Sequence, residues 1–133
     1  MILLWSAFFY SFDYRPKLEA TRAIEKFHKQ MNEGEFGQIH DDAGMYSSLG
    51  KTREDWAASM AKIRDSLGKF EAVKSSMIEC EAGPVFICRA SLVSAFERTE
   101  TTEFFRFSRA TGRLTLVEYS VLIEGQQFPL RKG

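Results

Sequence analysis

The spacing of apolar residues changes character once along the chain, at Gly68–Lys69. Before that point they recur every three or four residues, and beyond it they alternate. A chain of this kind builds helices first and strands second. With no long linker between the halves, it is expected to fold as helices laid on one face of an antiparallel sheet, an α+β layout. At 133 residues it is long enough for one domain with its own core.

Three helices are expected. In KLEATRAIEKFHKQMNEG, Leu18, Thr21, Ile24, Phe27, His28 and Met31 share one face. Pro16 sits where a helix start tolerates it, and Gly34 suits a left-handed C-terminal cap. A short second helix follows in GEFGQIHDDAGMYSSLG, with Phe36, Ile39 and Ala43 inward and a loop between Gly44 and Gly50. His40, Asp41 and Asp42 lie at its end. Consecutive helical residues point in different directions, so they read as a solvated helix end rather than a ligand cluster. The third helix opens at Thr52, with Asp55 placed as in a capping box, and closes at Gly68. Its stripe is Trp56, Met60, Ile63, Leu67 and Phe70.

Strands are expected in VKSSMIECEA, VFICRASLVSAFE, TEFFRFSR and RLTLVEYSVLIEG, about four in all. Gly83–Pro84 turns between the first two, and Ala110-Thr111-Gly112 closes the last hairpin. Phe105 and Phe107 share one face of the third strand, opposite Phe104 and Arg106. On the fourth, Val117, Tyr119, Val121 and Ile123 share a face, with Leu114, Leu116 and Leu122 on the other. The tail GQQFPLRKG is expected to fray or lie on the surface.

The first fourteen residues, MILLWSAFFYSFDY, are apolar and aromatic, but too few to span a membrane as a helix. They carry neither a basic residue nor an A-x-A cleavage motif. Three readings of residues 1–15 stay open: the remnant of an export signal or anchor, an interfacial arm seated by Trp5, Phe8, Phe9, Tyr10 and Phe12, or an apolar arm packed on the domain. Residues 16–133 form the domain proper. Export or membrane association is the expected location, with the cytoplasm as the alternative.

Lys plus Arg equals Asp plus Glu, 18 each, so no basic excess is present to neutralise phosphates, and no nucleic-acid partner is expected. Cys80 and Cys88 do not have the paired short spacings of a zinc site. On neighbouring strands they can form a disulfide in an oxidising compartment; two buried thiols are the alternative. No metal and no cofactor are expected.

Three stretches carry a family resemblance: MNEGEFGQIHD, a helix with a Gly-acid-aromatic break; TREDWAASMAKIRDSLGKF, a helix leading into a sheet; and TTEFFRFSRATGRLTLVEYSVL, a final long hairpin. Over about residues 17–124 the chain resembles the nuclear transport factor two-like (cystatin-like) superfamily, and in texture its small exported bacterial members. That resemblance implies a curved sheet wrapped around three helices in a cone-shaped roll with a pocket, often dimerising through the sheet. Some members are isomerases or dehydratases, and many only bind.

No catalytic motif maps onto this chain. A pocket enzyme would need a buried acid, for which the candidates are Glu103, Glu118 and Glu79, with Tyr119 a donor. Glu103 and Glu118 read more simply as cross-strand partners of Arg98, Arg106 or Arg113. An apolar ligand would meet Trp56, Met60, Phe105, Phe107 and Tyr119. The leading expectation is a non-catalytic binding or interaction domain, a homodimer or bound to a protein partner. The alternative is a small isomerase or hydratase acting on an apolar ligand with a strand carboxylate as base.

Overall fold

The computed structural model describes residues 2–43, 52–109, 112–123 and 126–128, with side chains from residue 15 onward except Gln126. Three helices, α1 (Ile2–Asn32), α2 (Phe36–Asp42) and α3 (Arg53–Leu67), precede five strands. The strands are β1 (Phe70–Glu81), β2 (Ile87–Phe96), β3 (Glu100–Ser108), β4 (Thr115–Ile123) and β5 (Gln126–Phe128). They form one open antiparallel sheet in the order β1-β2-β3-β4-β5. The loop between Gly44 and Gly50, the Ala110-Thr111 step and the aromatic side chains of residues 1–14 lie outside the described residues.

Two ends differ from expectation. Helix α1 does not begin near Pro16 but runs through it from Ile2. The preceding residues contain no glycine or second proline. An interior proline removes one backbone hydrogen bond and crowds the preceding turn, yet the helix continues on both sides of Pro16. Among the described residues, no helix is long and apolar enough to cross a membrane. At the other end, Gln126–Phe128 pairs with Val121–Ile123 as a fifth strand instead of fraying.

Helix α1 stops through backbone geometry at Gly34, whose φ is 75°. The Glu35 N–H reaches the Gln30 carbonyl at 2.8 Å and the Gly34 N–H reaches that of Met31 at 3.2 Å. These two bonds are the Schellman pattern. Asn32, the last helical residue, then grips the start of the sheet. Its side chain donates to the Phe70 carbonyl (2.9 Å) and accepts from the Phe70 N–H (2.8 Å). Phe70 therefore opens β1 rather than extending the α3 stripe.

Helix α3 starts at Thr52, whose hydroxyl accepts the Asp55 N–H at 3.1 Å. It ends at Gly68, φ 78°. Here the chain presses on the β2–β3 turn. The Arg98 N–H bonds to the Leu67 carbonyl (3.0 Å), and Glu97 bonds to Lys69 through both backbone and side chain.

The core lies between the helices and the inner face of the sheet. Ala20, Ile24, Phe27 and Met31 of α1 join Ile39 of α2 and Trp56, Met60, Ile63 and Leu67 of α3. They meet Ala90, Leu92, Phe96, Phe105, Phe107, Tyr119 and Val121 of the sheet. Bulges decide which strand residues take part. Between Arg106 and Phe107 the register slips, so Phe105 faces Tyr119 but Phe107 faces Leu116. Val117 is the extra residue, and Leu114 and Leu116 thereby pack on the core, contrary to simple alternation. On β1, Glu71 and Lys74 are extra, which brings Phe70, Val73, Ser76 and Ile78 to the inner face opposite Phe96, Ser94, Leu92 and Ala90. Cys80 and Cys88 are direct register partners and are joined by a disulfide.

Gly68 and Gly34 should respond differently to substitution by alanine. A Cβ on Gly34 meets nothing within 4 Å, whereas one on Gly68 would lie 2.7 Å from the Glu97 Cβ. Gly34→Ala is expected to cost about 1 kcal/mol from backbone conformation alone, and Gly68→Ala about 2–3 kcal/mol. Urea denaturation of both variants checks the order.

Candidate functional site

Helical spacing puts Ile24, His28 and Asn32, four residues apart, in one row along α1. That row faces the inner side of β1. The helix does not cover this strand fully, and Val73 stays 42% exposed although its side chain lies on the inner face. The result is a groove of about 760 Å³ between α1 and β1. Ile24 and His28 line one side, Phe70, Val73 and Ile78 the other, with Leu92 of β2 beyond. Glu25 and Lys29 of α1, Glu33 just beyond its end and Glu71 of β1 form its charged, exposed rim.

Behind His28 lies a buried polar cluster. Glu103, on the inner face of β3, has no exposed surface. Its Oε1 lies 2.7 Å from His28 Nε2 and accepts the Ser94 hydroxyl at 2.7 Å. Its Oε2 accepts the Tyr119 hydroxyl at 2.8 Å. Three elements besides β3 therefore supply a donor each: α1, β2 and β4. Ser94 and Tyr119 reach Glu103 along diagonals, because its direct cross-strand partners are Leu92 and Val121. A buried carboxylate is costly unless it is hydrogen-bonded, and here both oxygens of Glu103 are engaged.

The cluster also orients His28. A carboxylate only accepts hydrogen bonds, so the imidazole proton is assigned to Nε2. Nδ1 is then the ring's lone-pair nitrogen, and His28 as a whole is only 3% exposed where it lines the groove. The ring lies flat on Phe70, with centroids 3.6 Å apart and planes 6° from parallel. Asn32 fixes Phe70 through its backbone, so one face of the imidazole rests on a tethered aromatic ring. Tyr119 keeps its proton. Burial, the charge of Glu103 and the hydrogen bond to it all push the phenol well above its ordinary value.

The sequence candidates separate. Glu103 and Tyr119 come together in the cluster. Glu118 lies on the opposite face of the sheet, 3.1 Å from Arg106. Glu79 is exposed on β1 across from Arg89. Trp56, Met60, Phe105 and Phe107 are at most 2% exposed and fill the core, and none of them lines the α1–β1 groove. Sequence reasoning placed His28 and Phe70 on helical stripes, read His28 as a satisfied helix histidine, and assigned neither of them, nor Val73 or Ile78, to a site. The row from Ile24 through His28 to Asn32 was a usable signal, but the β1 bulges that turn Val73 inward had none.

His40, Asp41 and Asp42 do not converge. Arg53 Nε reaches both oxygens of Asp41, at 3.0 and 3.1 Å. Burial would raise Asp42, but hydrogen bonds from Gln30 and Gln38 and the Lys26 ammonium outweigh it and hold this carboxyl below the usual range. Among the described residues, no group of three or more His, Cys, Asp or Glu side chains is placed to hold a metal.

Removing members of the cluster should cost stability in a defined order. Glu103→Ala strands three donors and is expected to cost about 3–5 kcal/mol, and Tyr119→Phe about 1.5–3 kcal/mol. The raised phenol also sets an alkaline signature. The folded state keeps a proton that the unfolded chain releases near pH 10, so Tyr119's contribution is complete below about pH 10 and falls as pH rises further. Urea denaturation between pH 8 and 11 should show a steeper loss in the parent protein than in Tyr119→Phe.

Comparison of the chain with protein-family models, with curated proteins and with solved structures found no match.

Proposed function

We propose that this protein is a binding domain that takes a small, largely apolar molecule into the groove between α1 and β1. The observation that carries this reading is the uncovered inner face of β1. Val73 and Ser76 face the same side as the core yet stay exposed, next to the half-buried Ile78, the aromatic Phe70 and a single oriented histidine. A concave apolar surface with few polar groups is the usual form of a small-molecule site, and the volume lies in the usual range. Membership of the nuclear transport factor two-like superfamily is part of the same proposal. It is supported by the order of three helices and then an antiparallel meander. An exported location is also proposed, supported by the Cys80–Cys88 disulfide, since such bonds persist in oxidising compartments.

A second reading, an acid–base enzyme acting in the same groove, is favoured by one feature. His28 is paired with a carboxylate on Nε2, an arrangement that fixes the tautomer and orients the ring, as acid–base histidines are commonly held. Glu103 itself is sealed by three bonds and has no exposed surface. In that reading the base is His28, and Glu103 is a positioning residue.

N-phenyl-1-naphthylamine, a neutral apolar fluorophore, tests the groove. It should bind saturably, one per chain, and Val73→Trp should abolish binding by filling the groove while leaving the thermal midpoint nearly unchanged. Absence of saturable binding, or equal binding to Val73→Trp, would contradict the proposal.

A further inference from the structure

We propose that the groove selects uncharged apolar molecules bearing a hydroxyl donor, such as alkylphenols or alcohols, over carboxylates of the same shape. This rests on the reading of the groove as a small-molecule site and adds the chemistry of its ligand.

Several polar side chains line the groove: the charged ones, Glu25, Lys29, Glu33 and Glu71, are exposed at the rim, and of the uncharged ones Thr21, Asn32 and His28 each hold a partner within the protein. The Thr21 hydroxyl donates to the Lys17 carbonyl at 2.8 Å. Both ends of the Asn32 amide are held by the Phe70 backbone. His28 has Nε2 turned to Glu103, and its ring is fixed against Phe70. His28 lines the groove although only 3% of it is exposed, and with the proton on Nε2 the lone pair of the ring is on Nδ1. That nitrogen accepts a hydrogen bond and cannot donate one. A ligand satisfies it with an O–H or N–H, and a bare hydrocarbon, ether or carboxylate does not. Ser76 is the remaining hydroxyl on the β1 side, and it can serve either role.

Charge points the same way. The rim carries Glu25, Glu33 and Glu71 against Lys29, and the Glu103 carboxylate lies directly behind His28. An anionic head group entering the groove meets net negative charge at the mouth and again at the floor. The rim is exposed and partly screened by salt, but the buried carboxylate is not. An undissociated phenol escapes both charges and supplies the donor that Nδ1 lacks.

Titration calorimetry of the whole chain at pH 8 with 4-octylphenol, 4-octylanisole and 4-octylbenzoate separates the outcomes. The phenol should bind about tenfold more tightly than its methyl ether, the worth of one hydrogen bond, and the benzoate should bind more weakly than either. In His28→Phe the phenol and ether should bind alike. If that variant does not fold, the ratio measured on the parent protein decides by itself. Glu33→Gln/Glu71→Gln, changed only at exposed rim positions, should raise benzoate affinity and leave the phenol unaffected. Equal binding of phenol and ether, or preference for the benzoate, overturns this inference but keeps the groove as an apolar site. Failure of all three molecules to bind overturns both.

Discussion

The carboxyl of Glu103 is the point on which the arrangement of helices and sheet depends. It has no contact with solvent, and its three hydrogen bonds come from a helix and from both neighbouring strands. Apolar packing alone tolerates small slides of a helix over a sheet, because dispersion contacts are short-ranged and non-directional. A buried carboxyl with directional partners does not, since a slide that breaks one bond leaves a charge or a donor without a partner in a low-dielectric interior. The cluster therefore sets how α1 lies across the sheet, and thereby the width of the groove beside β1.

A second tether works with it. Asn32 closes α1 onto the backbone of Phe70, and the Phe70 ring then lies under the imidazole of His28. His28 is consequently held on one edge by a carboxylate and on one face by an aromatic ring. These two contacts hold the imidazole in one orientation at the edge of the groove.

Much of the fold was legible because local signals and tertiary packing agree. The α3 stripe, the Thr52 cap, Gly34 and Gly68 all act where their chemistry places them. The strands were legible from alternation, but the face of each residue was not. Single extra residues at Glu71, Lys74 and Val117 reverse the alternation locally, and nothing in their identity announces a bulge. The length of α1 was hidden by Pro16, which more often opens a helix than sits inside one. The site was half legible. Glu103 and Tyr119 drew attention as a strand acid and a donor, yet their meeting with His28 spans 75 residues of sequence. Such a contact becomes visible only once the helix is laid on the sheet.

The protonation pattern of His28 tests this account most directly. Long-range proton–nitrogen correlation spectra of the imidazole at neutral pH should show the proton on Nε2, slow to exchange with solvent because Glu103 holds it, and a bare Nδ1. A proton on Nδ1, or an imidazole exchanging freely between tautomers, would mean that Glu103 does not orient the ring, and the link between the buried cluster and the groove would be lost.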